Sequence, residues 1–210
     1  KEISSITNSF FSIFRKRKFF KDENTKLAIN IFIANIPIFI FGLIIKLFWP
    51  NFSNSVFRGL FSIAIVSIAM AIFLALSEIY SKRKKAIKEI NTIDVLFLGL
   101  SQALAVIPGV SRSGITLTSL LFSGLKRDAA ARLSFLVGIP AILISGLVEF
   151  LSIYETSTGL DIFPILIGIL SSFFSSIIAI DFLLGFLARN NTFIFVYYRL
   201  ALGIFILSVL

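Results

Sequence analysis

The sequence predicts an all-α fold: a polytopic membrane helical bundle with about five transmembrane helices and one re-entrant helical hairpin. The first observation is composition, since 57% of the 210 residues are hydrophobic, 25 are Phe and only 15% are charged. Soluble domains are about 45–50% apolar and about 25% charged, and one water-surrounded core of this size cannot bury so much apolar surface. The other two observations are apolar runs long enough to cross a membrane and basic clusters between those runs.

Five apolar runs have the length of a membrane-spanning helix. Crossing about 30 Å of hydrocarbon takes about 20 mostly apolar residues, and a helix pairs every backbone polar group within one such segment. Residues 1–26 are polar and basic, and we expect a cytoplasmic or interfacial segment with its phenylalanines at the headgroup level. We expect residues 1–210 to form a single integral-membrane domain. The five runs are 27–48, 57–80, 133–154, 162–187 and 193–210.

The run at 95–125 predicts a re-entrant hairpin instead of a single crossing helix. Arg112 is its only charged residue, and a proline and two glycines in its middle favour a break in the helix. The break leaves two half-helices, 95–107 and about 113–125, each about 20 Å long and therefore too short to cross. We expect the tip of the hairpin to lie inside the membrane.

The distribution of basic residues favours this hairpin. If it returns to the side it left, fifteen of the 20 Lys and Arg residues fall on that side, in clusters at 15–26, 82–88, 126–132 and Arg189. The opposite loops then contain only Lys46 and Arg58, with a purely acidic loop at 155–161. A crossing helix would move Lys126 and Arg127 outside, against the positive-inside tendency. The same topology accounts for the net charge of +9, so no nucleic-acid partner is expected.

The absence of two residue types limits the chemistry of this chain. It contains no Cys and no His, which excludes disulfides, thiol nucleophiles and a Ser-His-Asp triad within these residues. Hydroxyls, carboxylates, Arg and Lys are left for any reaction. The chain begins with Lys1 and its only Met is Met70, so we expect further sequence upstream.

The segment 108–116 combines two features that indicate a functional site. Non-helical backbone at membrane depth is tolerated where it is buried in protein or lines a wet cavity, and an Arg at that depth is costly enough to mark a function. Gly109 and Gly114 allow close approach of the backbone to a ligand. The start of the second half-helix presents free N–H groups and the positive end of its dipole.

These groups together predict an anion site, with phosphate as the favoured ligand. The planar guanidinium of Arg112 suits phosphate oxygens, and its spacing from Thr116 places the two on one side of the helix start. Ser111 and Ser113 supply further hydroxyls. The alternative is that one of these serines only caps the half-helix while Arg112 extends to the interface.

The same residues resemble a known family. Gln102 and the segment PGVSRSGIT at 108–116 are similar to the upstream Gln and the PGxSRSxxT motif of the undecaprenyl-diphosphate phosphatases, the integral-membrane bacitracin-resistance family. The similarity continues through 33–37, 132–136 and Tyr198-Arg199, so it extends over essentially all of the chain. The nine-residue motif is specific.

The resemblance implies an inverted-repeat fold and a reaction. The reaction is hydrolysis of the C55 isoprenyl diphosphate to the monophosphate at the outer face of a bacterial plasma membrane, which recycles a lipid carrier for cell-wall synthesis and confers bacitracin resistance. It also implies that Arg112 holds the diphosphate and that a divalent cation, Mg or Ca, takes part. The implied catalytic residues are Ser111, Arg112, Ser113 and Thr116, and the implied diphosphate-binding residues are Gln102, Gly109, Arg112, Ser113 and Gly114. Partners would be the isoprenyl diphosphate lipid and membrane lipids, with a homo-oligomer left open.

The chain also departs from the family pattern. Family members contain an earlier re-entrant hairpin with an ExxxE-type motif, a second Ser pair and a His, and these residues are not found here. We therefore expect that the chain lacks that hairpin. Two alternatives stay open, an inactive truncated member and a transporter or flippase for an anionic lipid or solute, since broken helices also serve transporters.

The remaining ionisable residues near or inside the spans carry separate predictions. Glu78 and Glu149 are expected at the interface, and Asp94 in the first turn of the hairpin. Asp181 lies inside its span, which makes it the carboxylate most worth testing for a place in the cavity. Arg199 is expected to pair with an acid or a carbonyl.

Overall fold

The computed structural model describes residues 23–49, 51–52, 55–156 and 162–210. The interfacial segment expected at 1–26 lies mostly outside these ranges, as does most of the acidic loop at 155–161. Within the described ranges there are seven α-helices. They are α1 (Glu23–Phe48), α2 (Leu60–Tyr80), α3 (Thr92–Ala103), α4 (Arg112–Phe122), α5 (Arg127–Thr156), α6 (Ile162–Arg189) and α7 (Phe193–Val209).

The five predicted apolar runs all form helices, so the predicted fold class is confirmed. Four of them, α1, α2, α5 and α6, are long and apolar enough to cross a membrane. The fifth, α7, has 17 residues and is about 26 Å long, near the lower limit for a crossing helix. Their large apolar side chains are widely exposed on the outside of the bundle, as lipid-facing helices require. The chain is a multi-pass membrane protein.

The hairpin is formed by α3 and α4, which are shorter than the predicted half-helices, with 12 and 11 residues. Helix α3 begins three residues early because Asn91 and Asp94 form a capping box, in which Asp94 N–H donates to Asn91 Oδ1 over 2.8 Å. Asp94 is therefore the first-turn acid that the sequence predicted. The helix ends early in a 3₁₀ turn at Leu104–Val106, because the residues before Pro108 are turned away from helical geometry.

Both ends of the hairpin lie at the same end of the bundle, as the predicted re-entrant path requires. The N–H groups of Lys84 and Lys85, before α3, both donate to the carbonyl of Gly124, after α4, over 2.9 Å. The N–H of Lys126 then donates to the carbonyl of Lys85 over 3.0 Å. The hairpin tip, defined here as residues 107–111, packs against Ile63 of α2. Ile63 is 17 residues from Tyr80, so the tip reaches about 25 Å from that end.

A buried carboxylate joins the ends of three helices at the basic end of the bundle. Glu78 is 3% exposed, and it accepts hydrogen bonds from Arg83 Nη1 over 2.6 Å, Arg127 Nε over 2.8 Å and Thr192 Oγ1 over 2.8 Å. Glu78 is at the end of its span as predicted, and it is buried within the protein. Burial is sustainable because two cations and a hydroxyl compensate the charge. An ion pair of Lys88 with Glu23 brings α1 to the same end.

The other contacts that position the hairpin depend on small residues. A Cβ at Gly99 would lie 2.9 Å from the carbonyl oxygen of Ala34, so α3 packs closely on α1. A Cβ at Gly203 would lie 2.6 Å from Cγ1 of Ile68, so α7 packs closely on α2. Small residues allow helices in membranes to approach in this way. Helix α4 is enclosed by α2, α3 and α5, and its leucines form the centre of the buried core.

Candidate functional site

The hairpin tip holds a strained backbone. Gly109 has φ +93° and Ser111 has φ +61° with ψ +107°, and a non-glycine residue with positive φ is costly. A Cβ at Gly109 would lie 2.8 Å from the carbonyl oxygen of Ile63, so this position requires glycine twice over. Ser111 caps α4, because its Oγ accepts from the N–H of Gly114 over 3.3 Å. Ser111 therefore caps the half-helix, and it also lines the cavity described below.

Arg199 of α7 fixes this tip in place. Its Nη1 donates to the carbonyl of Val110 over 3.1 Å and its Nη2 donates to the carbonyl of Gly109. Arg199 makes no ion pair with a described carboxylate. The prediction that Arg199 pairs with an acid or a carbonyl is confirmed for the carbonyls. Its cost at membrane depth is offset in part by two backbone acceptors that the broken helix leaves free.

Arg112 lies on the other side of the start of α4, against α5. A Cβ at Gly138 would overlap the guanidinium of Arg112, so the guanidinium packs directly against the backbone of α5. Its Nη1 is buried and has no hydrogen-bond partner among the described residues. An unpaired buried donor costs about 1–3 kcal/mol, and more when it is charged. The geometry therefore favours an anionic partner for Arg112.

A cavity of about 490 Å³ opens beside the hairpin tip, between α2, α4, α5, α6 and α7. Its polar groups include the hydroxyls of Ser111, Ser113 and Ser134 and the guanidinium of Arg199. The rest of the wall is mostly apolar, with Leu117, Leu183, Leu187 and Phe195 among its residues. The wall therefore suits an amphipathic ligand with an anionic group at the tip and an apolar chain beyond it. Four of the predicted site residues line it, namely Gly109, Ser111, Ser113 and Gly114, whereas Arg112 does not.

Thr116 does not line this cavity. It is completely buried, and its Oγ1 lies 2.9 Å from the carbonyl of Arg112, 3.2 Å from that of Ser113 and 2.6 Å from Oγ of Ser134. Ser134, on α5, does line the cavity. Sequence reasoning missed Ser134 because its contact with Thr116 joins two helices, and helical spacing within one segment carries no signal for such a contact.

Gln102 is placed away from the cavity wall. It is completely buried, and its Nε2 donates to Oδ1 of Asn35 over 3.0 Å. The Nδ2 of Asn35 donates in turn to the carbonyls of Ile31 and Val137, over 2.8 and 3.0 Å. These bonds tie α1, α3 and α5 together just before Pro140, which removes one helical hydrogen bond from α5. The structure thus gives Gln102 and Asn35 contacts between helices.

No carboxylate is found among the described residues of the cavity wall. Asp181 is exposed on α6 and does not line the cavity, and no group of three carboxylates suited to a metal ion occurs among the residues that the structure describes. Mg²⁺ is usually held by one or two carboxylates together with substrate phosphates. The described residues of this site therefore do not fit a divalent cation by themselves.

Comparison with known proteins places these features in a family context. A family profile described as "Bacitracin resistance protein BacA" matches residues 1–205. A protein of Prochlorococcus marinus (strain NATL1A) named undecaprenyl-diphosphatase is 66% identical over 209 residues, which is 100% of this chain and 75% of that protein. Proteins with the same name from Synechococcus sp. (strain CC9902) and Synechococcus elongatus (strain ATCC 33912 / PCC 7942 / FACHB-805) are 51% and 48% identical. They match 87% and 92% of this chain, which are 65% and 67% of their own lengths.

Proposed function

The chain belongs to the bacitracin resistance protein BacA family, and we propose that it hydrolyses undecaprenyl diphosphate to undecaprenyl phosphate and inorganic phosphate. The observation that carries this proposal is the polar tip of a broken helix beside a mostly apolar cavity within the membrane. A lipid diphosphate has the matching shape, with an anionic head and a long apolar chain. Relatives that are 66% identical are named for this reaction.

The chain's own groups at the tip suit the diphosphate. Phosphoryl transfer is catalysed mainly by positioning and by stabilising charge on the phosphate oxygens. Arg112 does not line the cavity, but its charge lies at the start of α4 between the two serines that do. The N–H groups in the first turn of α4 point toward the tip with the positive end of the helix dipole. Ser111 and Ser113 add hydroxyl donors, while Arg199 holds the backbone that carries them.

Hydrolysis also needs an oxygen nucleophile and a group that accepts its proton. The described wall of the cavity offers hydroxyl oxygens as nucleophiles, but it contains no carboxylate, and the guanidinium of Arg199 is already protonated and cannot accept a proton. The binding and charge-stabilising half of the reaction therefore belongs to this hairpin. A divalent cation stays a prediction from the resemblance, and its oxygen ligands would have to include those of the substrate.

The proposed setting is a bacterial plasma membrane, where the product would re-enter cell-wall synthesis as a lipid carrier. Removal of the diphosphate form would also confer resistance to bacitracin, in keeping with the family description. The proposed partners are the isoprenyl diphosphate and the surrounding lipids. A homo-oligomer stays a prediction.

Product analysis tests this function. The protein is expressed from its complete coding sequence, placed in vesicles with undecaprenyl diphosphate, and assayed for release of inorganic phosphate. We expect phosphate release with the monophosphate lipid as the second product. Movement of the lipid between leaflets without phosphate release would contradict the proposal and favour a transporter.

A further inference from the structure

We propose that Ser134 is a further substrate-contacting residue and that Thr116 is the positioning residue that orients its hydroxyl. This inference rests on the proposed function and deepens it. Ser134 lines the cavity from α5, on the same wall as Ser111 and Ser113 of the hairpin. Thr116 lies behind Ser134 and is completely buried.

The count of hydroxyl protons supports this assignment. Thr116 and Ser134 have one hydroxyl proton each, and their oxygens are 2.6 Å apart, so one of the two donates to the other. If Ser134 donates, the proton of Thr116 points to the carbonyl of Arg112, 2.9 Å away. If Thr116 donates, the proton of Ser134 is left for another acceptor, either the carbonyl of Ser113 at 3.3 Å or a ligand in the cavity.

A diphosphate selects the second arrangement. Its ionised oxygens accept hydrogen bonds and cannot donate them, so Ser134 must give its proton to the ligand. The Ser134 oxygen then needs a donor behind it, and Thr116 is in place to supply one. Ligand binding therefore fixes the direction of this hydrogen bond, with Thr116 as donor, and no proton moves between atoms. The backbone carbonyl of Ser113 at 3.3 Å competes only weakly for the Ser134 proton, since that distance is long for an O–H donor.

The same geometry explains why Thr116 acts at a distance from the cavity. Its side chain reaches the cavity only through Ser134, so its contribution to binding depends on that hydroxyl. Loss of either residue should therefore remove the same hydrogen bond. This is the behaviour that a double-mutant cycle detects.

The test uses the protein expressed from its complete coding sequence and measures phosphate release from an isoprenyl diphosphate. Ser134→Ala is expected to lower kcat/KM at least about tenfold, as for loss of a hydrogen bond to a charged group. Thr116→Val should lower it to a similar extent, whereas Thr116→Ser keeps the donor and should restore near-normal turnover. The double variant should be no worse than the more damaging single variant.

Ser119→Ala is the matched control. Ser119 lies on α4, is 2% exposed and donates to the carbonyl of Thr116 over 2.9 Å, but it does not line the cavity. The Ser119→Ala variant should therefore leave kcat/KM unchanged. Inhibition by inorganic diphosphate provides a second readout that a purely structural role would not move, and its inhibition constant should rise with Ser134→Ala at unchanged thermal stability.

The outcomes separate this inference from the proposed function. If the wild type releases phosphate, the proposed function stands. In that case a normal kcat/KM for Ser134→Ala, or fully additive losses in the double variant, would still overturn the inference about Ser134 and Thr116. A wild-type protein that releases no phosphate would overturn both.

Discussion

At the scale of single residues, the contact between Arg112 and Gly138 joins the motif to a position outside it. The guanidinium lies where any side chain on Gly138 would be. The motif at 108–116 could be recognised from sequence, as could the chemistry of its Arg and Ser residues. Gly138 and Ser134 could not be predicted as part of the site, because both meet the motif only after α5 packs against α4.

Gly138→Ala should therefore damage activity more than stability. Alanine favours a helix over glycine by up to about 1 kcal/mol, but its methyl group would displace the Arg112 guanidinium from the backbone of α5. We expect a loss of kcat/KM of at least about tenfold with little change in the melting temperature. Gly146→Ala on the same helix is the control, since nothing lies within 4 Å of a Cβ there. Equal activity of the two variants would show that the position of Arg112 is not critical.

At the scale of elements, the hairpin is held at both of its extremities. Backbone hydrogen bonds to Gly124 close the end near α2 and α5, and Arg199 binds the tip. The sequence could predict the break between α3 and α4, because a proline and glycines lie in the middle of the apolar run 95–125. It could not predict that α7 supplies the arginine that binds the tip, since that contact depends on α7 packing beside α2.

Arg199→Lys should lower kcat while the fold is retained. A single ammonium group does not reproduce the planar pair of donors that bind the carbonyls of Gly109 and Val110 together. We expect roughly a tenfold loss, with Arg199→Ala more damaging because two carbonyls lose their donor. Hydrogen exchange at residues 107–111 should become faster in both variants. Unchanged exchange there would argue against Arg199 as the residue that holds the tip.

The two glycines with positive φ allow backbone strain to be separated from steric blocking. Gly109→Ala would suffer from both effects, because the position has a positive φ and its Cβ would lie 2.8 Å from the carbonyl oxygen of Ile63. Gly124→Ala would suffer only from the positive φ, because the space around its Cβ is open. It should lower the free energy of unfolding by about 1–2 kcal/mol. Thermal denaturation in detergent should show Gly109→Ala as the less stable of the two, with the greater loss of activity. A reversed order would contradict the close packing of the tip on α2.

At the scale of the whole molecule, the basic end of the bundle fixes how the helices are assembled. Glu78 joins the ends of α2, α5 and α7 through Arg83, Arg127 and Thr192. Charge distribution along the sequence predicted which loops share one side of the membrane. It could not predict that Glu78 would be buried there, because that depends on Arg127 and Thr192, both distant in the sequence, meeting this carboxylate beside Arg83.

Glu78→Gln should destabilise the assembly. Breaking a buried ion pair costs about 3–5 kcal/mol, but the two arginine side chains are 31–32% exposed and remain partly solvated, so we expect about 2 kcal/mol. Glu149→Gln is the control, because Glu149 is exposed on α5. The measurement is the melting temperature in detergent. Equal melting temperatures for the two variants would contradict the role of Glu78 in joining the helices.

The proposed function depends most on Arg112, the first residue of α4 after the hairpin tip, as the group that holds the diphosphate. The most direct test compares phosphate release from undecaprenyl diphosphate by the wild type, Arg112→Ala and Arg189→Ala, all expressed from the complete coding sequence. Arg189 is an exposed arginine at the basic end of α6, so it controls for the loss of a positive charge. We predict that Arg112→Ala loses at least about 100-fold in kcat/KM while Arg189→Ala keeps normal turnover. Near-normal turnover by Arg112→Ala would contradict the assignment of this site.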